Sequence, residues 1–314
     1  PVPPNPLPWS TGSLMNSRRF PPTSRPGLKP ADDHAVWISA SFNKRLFNME
    51  TGRYIIWHVS PEMFSIGPVT LRWYGFLFAL GFLVGMLVMQ WVFRVEGRAR
   101  HDVDRLFQYV VIGALVGARL GHCLFYDPVY YLTHPVDILK IWEGGLASHG
   151  NGIGLFVALY LYARNTPGQS YLWILDRLSI ATALAGTFIR LGNLFNSEIL
   201  GTPTDLPWAF IFARVNPVPR HPVQLYESIA YACIFFLLLM LYRRQRTAIP
   251  PGQLLGVFLA TTFGARYILE FLNIRQAVFG HEFFLSVGQL LSIPFILLGC
   301  WMLLRSYRHA NRSL

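Results

Sequence analysis

The chain has 314 residues, 53% of them hydrophobic and 14% charged, with a formal net charge of +11. This balance excludes an ordinary soluble domain, because the apolar residues stand in blocks and not in short periodic runs. It also argues against a nucleic-acid binder. The cations are almost all arginine and gather in the loops between apolar blocks, where the positive-inside rule accounts for them.

Residues 1–48 are rich in Pro, Ser, Asn and Arg and show neither helical nor strand periodicity. Such a stretch cannot bury enough apolar surface to offset its ordering entropy, so residues 1–61 are read as a disordered or over-translated tail with its lead-in. Met49 stands just before the first recognisable segment and is the expected true start, with Met15 as the alternative.

Seven apolar blocks follow, at about 71–93, 106–126, 147–163, 172–192, 223–242, 253–272 and 286–304. Each approaches the roughly 20 residues that a helix needs to cross a bilayer. The expected fold is all-α, a polytopic membrane protein of seven transmembrane helices. Arginines crowd the loops after the first, third, fifth and seventh blocks, as in Arg94, Arg98 and Arg100 or Arg243, Arg244 and Arg246. Odd-numbered spans therefore end in the cytoplasm. The N-terminus lies outside and residues 309–314 form a cytoplasmic tail.

The first span opens on Trp73-Tyr74-Gly75, where interfacial aromatics are expected. Arg119 sits between Ala118 and Leu120 near the outer end of the second span and is read as architectural, pairing between helices. The third span opens on a glycine-rich run, Gly144 to Gly154, that carries His149, Gly150 and Asn151. Glycines let backbone approach a ligand, helix-start N–H groups favour anions, and a histidine accepts a proton near neutral pH. Helix packing through small residues explains the same run equally well.

The fourth span ends in Arg190-Leu191-Gly192-Asn193, followed by Ser197 and Glu198. A guanidinium fork with an adjacent carboxamide suits a phosphodiester. The competing reading is a structural ion pair with Glu198 or Glu227. The fifth span is entered through Arg220-His221-Pro222, and His221, Gln224 and Glu227 follow an i, i+3, i+6 rhythm. In the sixth span Arg266 and Glu270 lie four apart, either as a self-satisfied pair or as ligand contacts. Cys123, Cys233 and Cys300 all lie in apolar blocks, so neither a disulfide framework nor a zinc spacing emerges. Tyr74, Arg119, His149, Arg190, His221 and Arg266 map near outer helix ends although their spans run in opposite directions. Ionisable groups inside a bilayer are costly and usually functional, so one outward-biased polar site is expected.

In order along the chain, Phe64 to Gly75, the His149 loop, Arg190 to Asn193, Arg220 to Glu227, and Arg266 with Glu270 closely resemble bacterial phosphatidylglycerol–prolipoprotein diacylglyceryl transferases. The resemblance covers roughly residues 62–308. It implies a seven-helix inner-membrane enzyme with a small periplasmic head at about 194–221. It further implies transfer of a diacylglyceryl group from phosphatidylglycerol to the lipobox cysteine of a prolipoprotein, releasing glycerol 1-phosphate. His149, Arg190, Arg266 and Tyr74 are then the catalytic candidates. Arg190, Asn193, Gly150, Asn151, Glu198, Gly201, His221 and Glu270 are the phosphatidylglycerol contacts. No metal or cofactor is implied, and the partners are phosphatidylglycerol, prolipoprotein signal peptides and membrane lipids. Asn151 departs from the glycine usual in the loop, and the basic residue expected just after Glu270 is displaced to Arg275. A lipid or anionic-substrate transporter is the rival reading, since intramembrane arginines and Gly-interrupted helices also build transport paths.

Overall fold

The computed structural model describes residues 53–67, 69–140, 144–145, 147–274 and 285–312. The expectations for the N-terminal tail, Met15, Met49 and Arg275 fall outside these residues.

Three short strands lead in: β1 (Ile55–Trp57), β2 (Glu62–Ile66) and β3 (Val69–Arg72), the last two forming an antiparallel hairpin. Then come α1 (Trp73–Val95), α2 (Arg100–Phe125), the short α3 (Pro128–Thr133), α4 (Ser148–Asn165) and α5 (Tyr171–Asn196). After two more strands, β4 (Phe210–Phe212) and β5 (Pro219–Arg220), the chain forms α6 (Val223–Gln245), α7 (Gln253–Leu269) and α8 (Val287–Arg312). β4 pairs in parallel with β1 and antiparallel with β5, which closes a small sheet beside the end of α5.

Among the described residues, six helices are long and apolar enough to cross a membrane: α1, α2, α5, α6, α7 and α8. The third expected span is indeed a helix, of 18 residues, but is not one of those six. Its first turn reads Ser148-His149-Gly150-Asn151 and its last residues are Arg164-Asn165, so polar groups occupy both ends.

Neighbouring helices pack antiparallel. On α2 and α4 this rests on facing glycines: a Cβ on Gly121 would lie 2.6 Å from the Gly150 Cα, and Gly117 and Gly154 are equally crowded. Glycine is required there because the two backbones nearly touch. α1 packs on α5, with Gly85 against Ala181 near one end and Gly192 against Tyr74 near the other. α7 packs on α8 through stacked Phe263 and Phe295.

The two ends of the bundle differ in chemistry. Where α1, α4 and α6 end and α2, α5 and α7 begin, a continuous apolar core includes Met89, Val92, Phe93, Leu106, Tyr162, Ile174, Leu238, Tyr242 and Leu254. A buried ion pair locks this end: Arg177 Nε donates to Glu96 Oε1 at 2.9 Å, and Trp173 Nε1 donates to Glu96 Oε2 at 2.9 Å. Beside it, fully buried Asp176 on α5 accepts from the backbone N–H of Gly252 (2.6 Å) and Leu255 (2.9 Å). Those N–H groups belong to the first turn of α7, which has no side-chain cap of its own. The opposite end carries Tyr74, Arg119, His149, Arg190, His221 and Arg266, at the outer ends read from the sequence.

Candidate functional site

The polar end is built around the C-terminus of α5 and the N-terminus of α6. Arg190, one turn and a half from the end of α5, places its Nε 3.0 Å from Glu227 Oε2. Glu227 is 2% exposed and the Arg190 side chain 14%, so the pair is largely withdrawn from solvent. The Arg190 guanidinium also lies over the Tyr231 ring, 6.0 Å from its centroid. Neither Arg190 amino group makes a hydrogen bond among the described residues, which leaves both of them for another partner. Arg266 on α7 makes no ion pair or hydrogen bond among the described residues, but lies within electrostatic range of Glu227, as does Glu270.

Glu198 is the centre of a second cluster. Its Oε1 accepts from Asn193 Nδ2 at 2.9 Å and from Asn196 Nδ2 at 3.1 Å, while its backbone carbonyl accepts from Gln224 Nε2 at 2.6 Å. The flanking residues Ser197 and Ile199 both adopt left-handed backbone, with φ of 54° and 56°. For a β-branched isoleucine this conformation is strained by about 1–3 kcal/mol and persists only when its surroundings over-determine it. Three converging amides supply that constraint. Tyr74 completes the group: Gly192 lets its ring lie against α5, and Glu198 and Arg190 are both within its electrostatic range.

A short irregular sheet adjoins this cluster. Gly201 pairs with Asn273 and Pro203 with Arg220 in isolated bridges, and Gly201 is needed because a Cβ would meet the His221 side chain and backbone. His221 Nδ1 lies 3.4 Å from the Tyr226 hydroxyl, which accepts from Trp208 Nε1 at 2.9 Å. Glu270 does not pair with Arg266 as the i, i+4 spacing allows. α7 ends at Leu269, and Glu270 begins a tighter 3-10 turn that changes the angular offset between the two side chains. Its carboxylate instead accepts from Asn273 Nδ2 at 3.1 Å and from Ser286 Oγ at 3.0 Å.

Arg119 is architectural, as the sequence suggests, but its partners are carbonyls. It is 4% exposed, and its donors reach Ile138 O (2.8 Å), Asp137 O (2.5 Å), Gly144 O (2.6 Å) and Gly145 O (3.3 Å). It thereby ties down the segment entering α4, where Gly144 and Gly145 have φ of 91° and 71°. His149 and Asn151 stand exposed on the first turn of α4, whereas Gly150 is buried against Gly117 and Gly121. His149 thus shares the polar end with Arg190 and Tyr74, while no hydrogen bond or ion pair among the described residues joins them.

Of the two ion-pair partners that the sequence offered Arg190 (Glu198 and Glu227), the structure shows Glu227, while Gln224, Asn196 and Ser286 are contact residues missing from the candidate site residues. The rhythm of His221, Gln224 and Glu227 marked the first of these three. Asn196 and Ser286 carried no local signal.

Antiparallel apolar helices of bilayer length with a charged, partly strained cluster at one end define a multi-pass membrane protein. Residues 61–305 match the family model for prolipoprotein diacylglyceryl transferase, and the chain belongs to that family. A phosphatidylglycerol–prolipoprotein diacylglyceryl transferase of Chloroherpeton thalassium is 52% identical over 263 residues, covering 84% of this chain and 98% of the relative. Those of Tolumonas auensis and Porphyromonas gingivalis are 50% and 42% identical, covering 82% of this chain in each case and 100% and 96% of the relative.

Proposed function

We propose that this enzyme transfers the diacylglyceryl group of phosphatidylglycerol to the lipobox cysteine of a prolipoprotein and releases glycerol 1-phosphate. The observation that carries this reading is Arg190: inside an apolar helix, it spends one nitrogen on Glu227 and keeps two amino groups for an anion. That is the fork a phosphodiester takes. Family membership supplies the reaction, and the relatives named above are transferases, which does not favour a transporter.

A neutral thiol is a poor nucleophile, so a base must take its proton as sulfur attacks the glycerol carbon. His149 is assigned that role, with Tyr74 or His221 as helpers. As the C–S bond forms, the bond from that carbon to the phosphate oxygen breaks and its electron pair stays on the leaving glycerol phosphate. Arg190 and Arg266 stabilise the charge gathering there, in surroundings of low dielectric. Asn193, Glu198 and Gly201 position the headgroup, and Gly150 and Asn151 line its approach. The polar end faces the periplasm, with the 194–221 segment as a small head, and the C-terminus lies in the cytoplasm of a bacterial inner-membrane protein.

The test is transfer of label from diacyl-labelled phosphatidylglycerol to a lipobox peptide, comparing wild type with His149→Ala. Thioether-linked lipid on the peptide with wild type, and its loss in the variant, is expected. Full activity in His149→Ala moves the base elsewhere, and lipid movement without thioether formation restores the transporter reading.

A further inference from the structure

Beside the Arg190 cluster lies a cavity of ≈ 520 Å³ lined by Thr202, Arg220, Glu270, Asn273, Ser286 and Gln289. Its size is that of an ordinary ligand site. Its chemistry differs from that of an anion pocket, because the Glu270 carboxylate faces the same space as the Arg220 guanidinium. A phosphate would meet attraction and repulsion together. A neutral ligand carrying both donors and acceptors would meet neither.

The hydrogen bonds narrow the choice. Thr202 has already spent its backbone, donating N–H to Leu272 O at 2.7 Å and accepting at its carbonyl from His221 N at 3.1 Å. The cavity therefore reads a ligand through side chains and offers no free strand edge at this point. Arg220 uses Nε on Asn216 Oδ1 (3.4 Å) and Nη1 on Gly201 O (3.2 Å), which leaves Nη2 as a donor without a partner among the described residues. Asn273 Nδ2 and Ser286 Oγ each donate one hydrogen bond to the Glu270 carboxylate, which keeps acceptor capacity for a ligand in the cavity. The spare Arg220 donor and the Glu270 carboxylate, lining the same cavity, form the complement of a peptide unit, whose C=O accepts and whose N–H donates. Phe271 and Ile274, 55% and 41% exposed, add apolar surface for side chains.

We infer that this cavity holds the polypeptide substrate, in the stretch of prolipoprotein backbone that flanks the reactive cysteine. The inference rests on the transferase reading above. Position supports it. The Gly201–Asn273 bridge joins this cavity to the segment that follows Glu198, at the same end of the bundle as Arg190. A polypeptide whose cysteine reacts at that end must pass beside it as it leaves the bilayer. The two substrates would then be held by separate features, the lipid phosphate by Arg190 and the peptide backbone by Arg220 and Glu270, whose carboxylate Asn273 holds in place.

Two measurements test this on the full-length enzyme. In the first, Arg220→Lys and Asn273→Leu are assayed with separate variation of lipobox peptide and phosphatidylglycerol. The expected result is a KM for peptide raised about tenfold, equivalent to one lost hydrogen bond, with KM for phosphatidylglycerol unchanged. In the second, a benzophenone amino acid replaces Phe271, or Phe78 on α1 as an equally exposed control, and is irradiated with peptide and phosphatidylglycerol vesicles. Peptide cross-linked at 271 and not at 78 is expected, and this readout stands even where Arg220→Lys folds poorly. Unmoved peptide KM, a shift confined to phosphatidylglycerol KM, or cross-links to lipid alone would overturn the inference. If wild type transfers lipid to peptide while these outcomes occur, only the inference falls; if wild type transfers none, the proposed reaction falls with it.

Discussion

The Arg190–Glu227 pair allows stability and catalysis to be separated by one set of variants. Arg190→Ala does two things at once. It leaves the Glu227 carboxylate, 2% exposed, without its counter-charge, and breaking a buried pair from one side typically costs about 3–5 kcal/mol. It also removes the donor proposed for the leaving phosphate, which typically costs about 10²–10³ in rate, or roughly 3–4 kcal/mol. Replacing both partners with apolar side chains of similar size separates these effects, because a buried pair exchanged for hydrophobic groups is often neutral to stability. Arg190→Met alone should therefore lower both the thermal midpoint in detergent and the rate of diacylglyceryl transfer. Adding Glu227→Met should restore the midpoint while activity stays at least about 100-fold down, the loss expected for a missing charge-stabilising donor. Arg190→Lys keeps charge but not the fork and should be impaired at normal stability. Wild-type turnover in the double variant would show that Arg190 serves only to neutralise Glu227, and the reasoning would fail.

Arg119→Met should destabilise the segment entering α4 by several kcal/mol, because four carbonyl contacts are lost at about 1–3 kcal/mol for each group left buried without a partner. Faster amide exchange across residues 137–145 would register this, and unchanged exchange would contradict it. Asp176→Ala should lower stability by about 1–3 kcal/mol, since the first-turn N–H groups of Gly252 and Leu255 lose their acceptor. Thermal unfolding measures this, and a rise in midpoint would argue that burying the carboxylate outweighs its capping bonds. The surface contact of Asp137 should be pH dependent. The hydrogen bond it accepts from Lys140, and then that from Tyr130, hold its carboxyl below the ordinary aspartate range. The contribution is therefore complete above the unfolded aspartate pKa and disappears as pH falls through the lowered one. NMR titration of the side chain should show that midpoint below the value in an unfolded peptide.

The sequence made the blocks and the alternation of ends legible because both are one-dimensional. A continuous apolar run of bilayer length needs no knowledge of its neighbours, and loop arginines give the direction of each run. The shared end of Tyr74, Arg119, Arg190 and Arg266 follows from counting alone, and the packing of Tyr74 on Gly192 agrees with it. Of the partners that come from distant segments, only Glu227 was legible, as one of two offered to Arg190. Nothing near Arg119 announces that its acceptors lie at 137–145, and nothing near Glu270 points to Ser286. The third span is a helix running between the two ends, as expected, but its apolar length is shorter than the block suggested. Its central apolar run is genuine, but Ser148, His149 and Asn151 make its first turn polar, which block counting averages away.

The two ends of the bundle divide the work of folding and of function. Large buried side chains, the Glu96–Arg177 pair and the Asp176 cap all stand at one end. The other end holds groups that folding alone would not favour. Among the described residues, Asn193 Oδ1, Gln224 Oε1 and Ser197 Oγ are buried without a hydrogen-bond partner beside strained Ile199. The first end has such groups too, Arg98 Nε, Thr166 Oγ1, Gln253 Oε1 and left-handed Arg246, but there they adjoin the large apolar core. Each orphaned group costs about 1–3 kcal/mol, so the cluster can persist only because stability is supplied elsewhere. α5 crosses from one regime to the other. Its amides should therefore exchange at graded rates, with residues 174–183 protected well beyond 193–199. Phosphatidylglycerol should slow exchange in the second stretch more than in the first, since the ligand is proposed to supply partners only there. Uniform protection along α5, or equal slowing of both stretches, would show that strain and stability are not partitioned in this way.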